Sequence, residues 1–181
     1  MKRILLALPL LALGTSALAN TAAIHFTGEV VTGSCPITIV DPGGNNSGTV
    51  DMGEAMAGNF DRAGIEVNHR DFAIQVDDAK ACPGWNGNND VATVRFFGLS
   101  GGAENDELFA LDGTGTPATG VALGIKDDTG APVGHGGASK DYPLAGNGPD
   151  TLAFTAFYKS MDSTVTAGDA NANVAVELTI N

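Results

Sequence analysis

Asn173-Val174-Ala175-Val176-Glu177-Leu178-Thr179-Ile180 alternates apolar and polar or small residues over its whole length. Side chains on an extended chain point to opposite faces in turn, so Val174, Val176, Leu178 and Ile180 share one face, and Ala175, Glu177 and Thr179 share the other. This is a strand with one face in a core, and its register is set by that face, because a one-residue slip would expose all four apolar residues. A second stretch near the start of the chain has the same period. Ala22, Ile24, Phe26, Gly28 and Val30 fall on one face, with Thr21, His25, Thr27 and Glu29 opposite. An alternating strand with an open edge invites pairing with another chain.

Between these two stretches the chain is rich in turn formers, including 25 Gly. The short Val- and Phe-rich runs predict strands over Pro36–Val40, Gly48–Met52, Asp71–Val76, Val91–Phe97, Glu107–Leu111, Gly120–Lys126 and Leu152–Tyr158, followed by Asn173–Ile180. Turn signals such as Asp41-Pro42-Gly43-Gly44, Gly87-Asn88-Asn89, Asp112-Gly113 and Asp128-Thr129-Gly130 separate them, which suits an all-β sandwich of one domain. Ala55–Ala63 is the one segment with a brief helical tendency.

The N-terminus carries a secretory signal. Lys2 and Arg3 precede an apolar run from Ile4 to Leu13, and Ala17-Leu18-Ala19 supplies a small-x-small cleavage site. The expected mature chain begins at Asn20 and has about 162 of the 181 residues, with no membrane span. Cys35 and Cys82 in an exported chain are most simply read as one disulfide. Two free thiols are the other reading, and a metal site is disfavoured because the three His are scattered. The alternating arm lies outside the loop that such a bond would close, which leaves it free to be donated.

With Lys2 and Arg3 removed, 7 of the 9 basic residues remain against 21 acidic ones, a formal charge of −14. That balance argues against nucleic acid and anionic membranes as partners.

At both ends the chain resembles a chaperone-usher fimbrial subunit, a type 1-like pilin of the major or minor structural kind. The resemblance is carried at the start by Ile24-His25-Phe26-Thr27-Gly28-Glu29-Val30-Val31 followed by Cys35. At the end it is carried by Leu152-Ala153-Phe154-Thr155-Ala156-Phe157-Tyr158-Lys159, by Gly168 and by the final alternating strand. Val50-Asp51-Met52-Gly53, Phe72-Ala73-Ile74-Gln75-Val76, Val94-Arg95-Phe96-Phe97-Gly98 and Gly120-Val121-Ala122-Leu123-Gly124-Ile125 follow the family order between them. The chain departs from the family at Ile180, where an aromatic is usual, and at Cys82, which falls later than usual after the Phe72–Val76 segment.

The resemblance implies an incomplete immunoglobulin-like β-sandwich, the pilin fold, that lacks its last strand and carries an N-terminal donor-strand extension. Residues 1–19 would be the signal peptide, 20–31 the extension and 32–181 the sandwich. Ile24, Phe26, Gly28 and Val30 would be donor side chains, with Gly28 where a crowded pocket admits no side chain. Val174, Val176, Leu178 and Ile180 would form the acceptor strand and the chaperone contact. Implied partners are other fimbrial subunits, a periplasmic chaperone and an outer-membrane usher, with strand addition as the mode of recognition. No cofactor or metal is implied.

Other constellations have plainer readings. Gly98-Leu99-Ser100-Gly101-Gly102 matches a nucleophile-elbow pattern, but no helix-forming stripe follows it, so it is read as a turn. His25, His69 and His135 are read as solvated, and Asp77-Asp78 and Asp127-Asp128 as strand-end turns. Trp85 is read as a packing anchor, and Asn45-Asn46-Ser47 as a turn with a low-information glycosylation triplet. The alternative from another class is a secreted monomeric β-sandwich module that binds carbohydrate, through Trp85, or another ligand.

Overall fold

The computed structural model describes residues 35–181, apart from Pro42, Gly44, Ser47 and Asn89. The expected signal peptide and the donor residues Ile24, Phe26, Gly28 and Val30 lie outside the described residues.

The two long strands β2 (Glu66–Val76) and β8 (Asp150–Ser160) pair antiparallel and form the centre of the larger sheet. Their inward positions are apolar and alternate as a half-buried sheet requires: Phe72, Ile74 and Val76 on β2, and Leu152, Phe154, Ala156 and Tyr158 on β8. Strand β1 (Ile37–Val40) lies outside β2, and β6 (Val121–Asp127) lies on the far side of β8. The short strands β4 (Gly102–Ala103) and β5 (Leu108–Phe109) complete the sheet, in the order β1-β2-β8-β6-β5-β4. The second sheet has three strands, with β3 (Val91–Gly98) between β7 (Tyr142–Pro143) and β9 (Val174–Ile180).

Residues of both sheets meet in one core. Phe96 of β3 contacts Phe154 of β8 edge-to-face at 5.0 Å between ring centroids, and Phe72 of β2 stacks on Phe154 at 5.6 Å. Strand β6 is covered on both faces. Val121, Leu123 and Ile125 belong to the core, whereas Gly124 lies under the ring of Phe157, which is 2% exposed on the outer side. His69 stacks on the same ring at 5.4 Å, and the Lys126 ammonium sits 4.5 Å from its centroid while pairing with Glu66.

Cys35 and Cys82 are disulfide-bonded and tie the start of the domain to the turn after β2. Cys82 follows a short 3₁₀ turn, Ala79–Ala81, which Asp78 caps by accepting from the Lys80 N–H at 3.1 Å.

Several sequence expectations are corrected. No strand forms over Gly48–Met52, because the segment has no strand to ladder with among the described residues and is held by side chains instead. Strand β2 begins at Glu66 rather than Asp71. A bulge sets Asn68 and His69 against the single residue Phe157, and that extra residue disguises the alternation. The strand expected over Glu107–Leu111 is only Leu108–Phe109, and the helical tendency of Ala55–Ala63 is a 3₁₀ turn at Ala57–Asn59.

Asp127, 3% exposed, closes the turn after β6 by accepting from Thr129 N and Oγ1 and from Ala131 N. Burial opposes its ionisation, but these hydrogen bonds prevail and hold its carboxyl below the usual carboxylate range. A depressed folded pKa gives stability that is present above the unfolded value near 4 and is lost as pH falls through the folded value. Asp127→Asn should therefore cost about 1 kcal/mol at pH 7 and progressively less as pH falls through the folded value. Urea midpoints of both proteins across that range check this, and a cost that persists at low pH would contradict it.

Candidate functional site

Strand β9 pairs with β3 alone, in continuous register from Ala92↔Ile180 to Gly98↔Val174. Its other edge has no partner strand among the described residues. The core-facing residues of β3, Ala92, Val94 and Phe96, are at most 1% exposed, yet Val174, Val176 and Leu178 beside them are only half-buried. This difference marks a place where the sandwich lacks a layer of cover.

A groove runs along that edge. One section, about 480 Å³, has Phe72, Phe96, Leu123, Ile125 and Ala156 as its floor, between a wall at Gly48–Met52 and the segment Asn171–Val176. The next, about 600 Å³, lies over Phe60, Val121 and Tyr158, between Gly53–Ala57 and Val165–Asn171. Asn171 borders both, so the two sections follow one another. Met56, 75% exposed, stands at the rim of the second.

The 165–173 side of the groove is fixed from below. The Tyr158 hydroxyl donates to Ala170 O at 2.7 Å, and burial, reinforced by Asp51, raises its pKa. Asp169 N donates to Thr116 O at 2.7 Å, and Ala118 N donates to Asp169 O at 2.9 Å. Gly168 lies against the 116–118 segment so closely that a Cβ would come within 2.6 Å of Pro117 C, so a side chain is excluded by backbone.

Of the four residues expected on the acceptor side, Val174 and Val176 border the groove, whereas Leu178 and Ile180 lie beyond its open part on the same face. Ile180 is 6% exposed, and its carbonyl packs against Gly84, where no Cβ could be placed. The opposite wall was legible only as the alternation of Val50 and Met52. The groove residues Phe60 and Val165 carry no periodic signal of their own.

The other sequence constellations lie elsewhere. Ser100 Oγ donates to Asp112 at 3.0 Å, not to a histidine, in the exposed turn where Gly101 N donates to Gly98 O. His135 corrects the expectation of a solvated ring: it is half-buried between Phe97 and Phe109, and its Nδ1 accepts from Gly98 N at 3.0 Å. His69 keeps an exposed edge and pairs with Glu66 at 3.3 Å. Asp77 accepts from Thr38 and Gln75, and Asp128 pairs with Lys140. Trp85 packs partly buried against the core and covers Gly146. Asn45 folds back on Asp41. Among the described residues, no group of three or more His, Cys, Asp or Glu side chains is placed to hold a metal, and no helix is long and apolar enough to cross a membrane.

A two-sheet sandwich with an apolar-floored groove beside an edge that is unpaired among the described residues fits a class of domain completed by a strand from another chain. A model of the fimbrial protein family matches residues 24–181, and the chain belongs to that family. It is 31% identical to a type-1 fimbrial protein subunit of Serratia marcescens over 95% of each chain. It is 30% identical to a probable major fimbrial subunit of Escherichia coli O157:H7, over 98% of this chain and 96% of that one. Among solved structures, the P pilus rod subunit PapA matches with a TM-score of 0.59 and 25% identity, over 81% of this chain and 99% of the other. The architecture is accordingly the immunoglobulin-like pilin sandwich.

Proposed function

We propose that the protein is a structural, non-enzymatic subunit of a bacterial surface fimbria that polymerises by donor-strand exchange. The division into a donor extension, 20–31, and a sandwich, 32–181, is part of this reading. The observation that carries it is the groove beside β9, where Val174 and Val176 stay half-covered above the aromatic floor of Phe72 and Phe96. An inserted strand finds an unpaired ladder edge on β9 and apolar pockets below. Ile24, Phe26, Gly28 and Val30 of a neighbouring subunit are the side chains that enter. A periplasmic chaperone occupies the groove before exchange, exchange occurs at an outer-membrane usher, and the finished fibre stands at the cell surface, where it supports adhesion.

Gly28 is the sharpest test. Gly28→Leu should block insertion into a neighbour's groove while leaving the variant's own groove, and so its chaperone binding, intact. Co-purification with the chaperone and ladder formation on unheated gels read the two separately. Normal ladders from this variant would remove Gly28 from the proposal.

A further inference from the structure

We propose that Asn68 and Arg70 are positioning residues that hold the 51–54 wall one strand-width from β9 and thereby set how long an inserted strand stays bound. The proposal rests on the donor-strand reading. The wall belongs to no strand, so no β-ladder fixes its distance from β9. The Asn68 side-chain amide instead donates to Met52 O at 3.0 Å and to Glu54 O at 2.8 Å, and Arg70 Nε donates to Asp51 O at 3.2 Å. These bonds fall at the junction of the two groove sections, since Met52 borders one and Gly53 and Glu54 border the next.

The bulge in β2 makes this reach possible. Asn68 has φ of 53°, a left-handed conformation that asparagine tolerates, and the extra residue turns its side chain toward the wall while His69 turns outward to Phe157. A strand seated between two edges needs a gap of about 9.6 Å, twice the spacing of neighbouring strands. A wall that drifts by about 1 Å stretches ladder hydrogen bonds beyond their useful range.

The test uses the mature chain, refolded with an excess of a fluorescent peptide spanning Asn20 to Val31 and then chased with unlabelled peptide. Asn68→Gly removes the amide without straining the backbone, Asn68→Asp keeps the shape but turns an acceptor on two carbonyls, and Arg70→Gln shortens the second anchor. Each should release peptide roughly tenfold faster than the native chain, a change on the scale of one or two lost hydrogen bonds. Thr155→Val is the control, since it removes a bond to Asp71 on the outer face of the same two strands. It should lower the melting temperature without changing release. Native-like release from the Asn68 variants, or equal acceleration in the control, overturns the positioning role and leaves the exchange reading standing. Failure of the native chain to bind the peptide overturns both. Should Asn68→Gly fail to fold, Asn68→Asp and Arg70→Gln decide the matter.

Discussion

Removing Asn20 to Val31 from the mature chain is expected to end fibre growth while leaving a domain that folds and binds the chaperone. The arm lies outside the loop closed by Cys35 and Cys82, so its loss leaves that loop whole. Every described element of both sheets lies at Ile37 or later, and the described core spans both sheets. In the proposed reading, what the truncated subunit loses is the ability to fill another subunit's groove. Because exchange requires one donor per junction, the effect is all-or-none in vivo: the truncated protein can cap a chain by accepting a strand but cannot be the next donor. Gel ladders and electron microscopy of cells expressing only this variant check the prediction, and fibres of normal length would refute donation by the arm.

The second large effect is expected from the double replacement Cys35→Ser and Cys82→Ser. Closing a loop of 47 residues restricts the unfolded chain by about 4 kcal/mol in the chain-entropy account. An ordinary domain has about 5–15 kcal/mol in all, and a sandwich with an uncovered groove forgoes part of its hydrophobic burial. Cys82 is also 5% exposed and belongs to the core, so hydroxyls placed there lose apolar contact as well. The melting temperature should fall by on the order of 10 °C for a domain of this size, and the yield of chaperone complex should fall with it. Thermal unfolding of native and variant proteins in the same donor-peptide complex measures the difference. A shift of only a degree or two would assign the bond a negligible part in stability.

Strand identity was legible wherever alternation was unbroken. The inward series Phe72, Ile74, Val76 and the series Val174 to Ile180 both follow from period two and from the presence of one core. The start of β2 was hidden because the bulge at Asn68 and His69 shifts the face of everything before it. The Gly48–Met52 segment shows the converse failure, a strand-like pattern without a strand. Extended conformation is a local property, but a strand is defined by pairing, and the partner position beside this segment is the groove itself. His135 was misread because its partners, Gly98 N, Phe97 and Phe109, are all more than two dozen positions away.

The amino-acid sequence by itself determined the cysteine pair, the acidic charge and the alternating strand at the C-terminal end, because each depends on composition or on a period of a few residues. The tertiary structure decided which apolar residues are covered and which are left waiting. Val174 and Val176 border the groove while Ile180 is already buried, although one alternation predicts the same role for all of them. It also decided that the far wall is held by Asn68 and Arg70, whose polar side chains follow no apolar pattern. The physical reason is that a groove is bounded by segments brought together from 48–57, 165–176 and the sheet floor between them, and the distance across it is set by contacts that no short-range pattern contains.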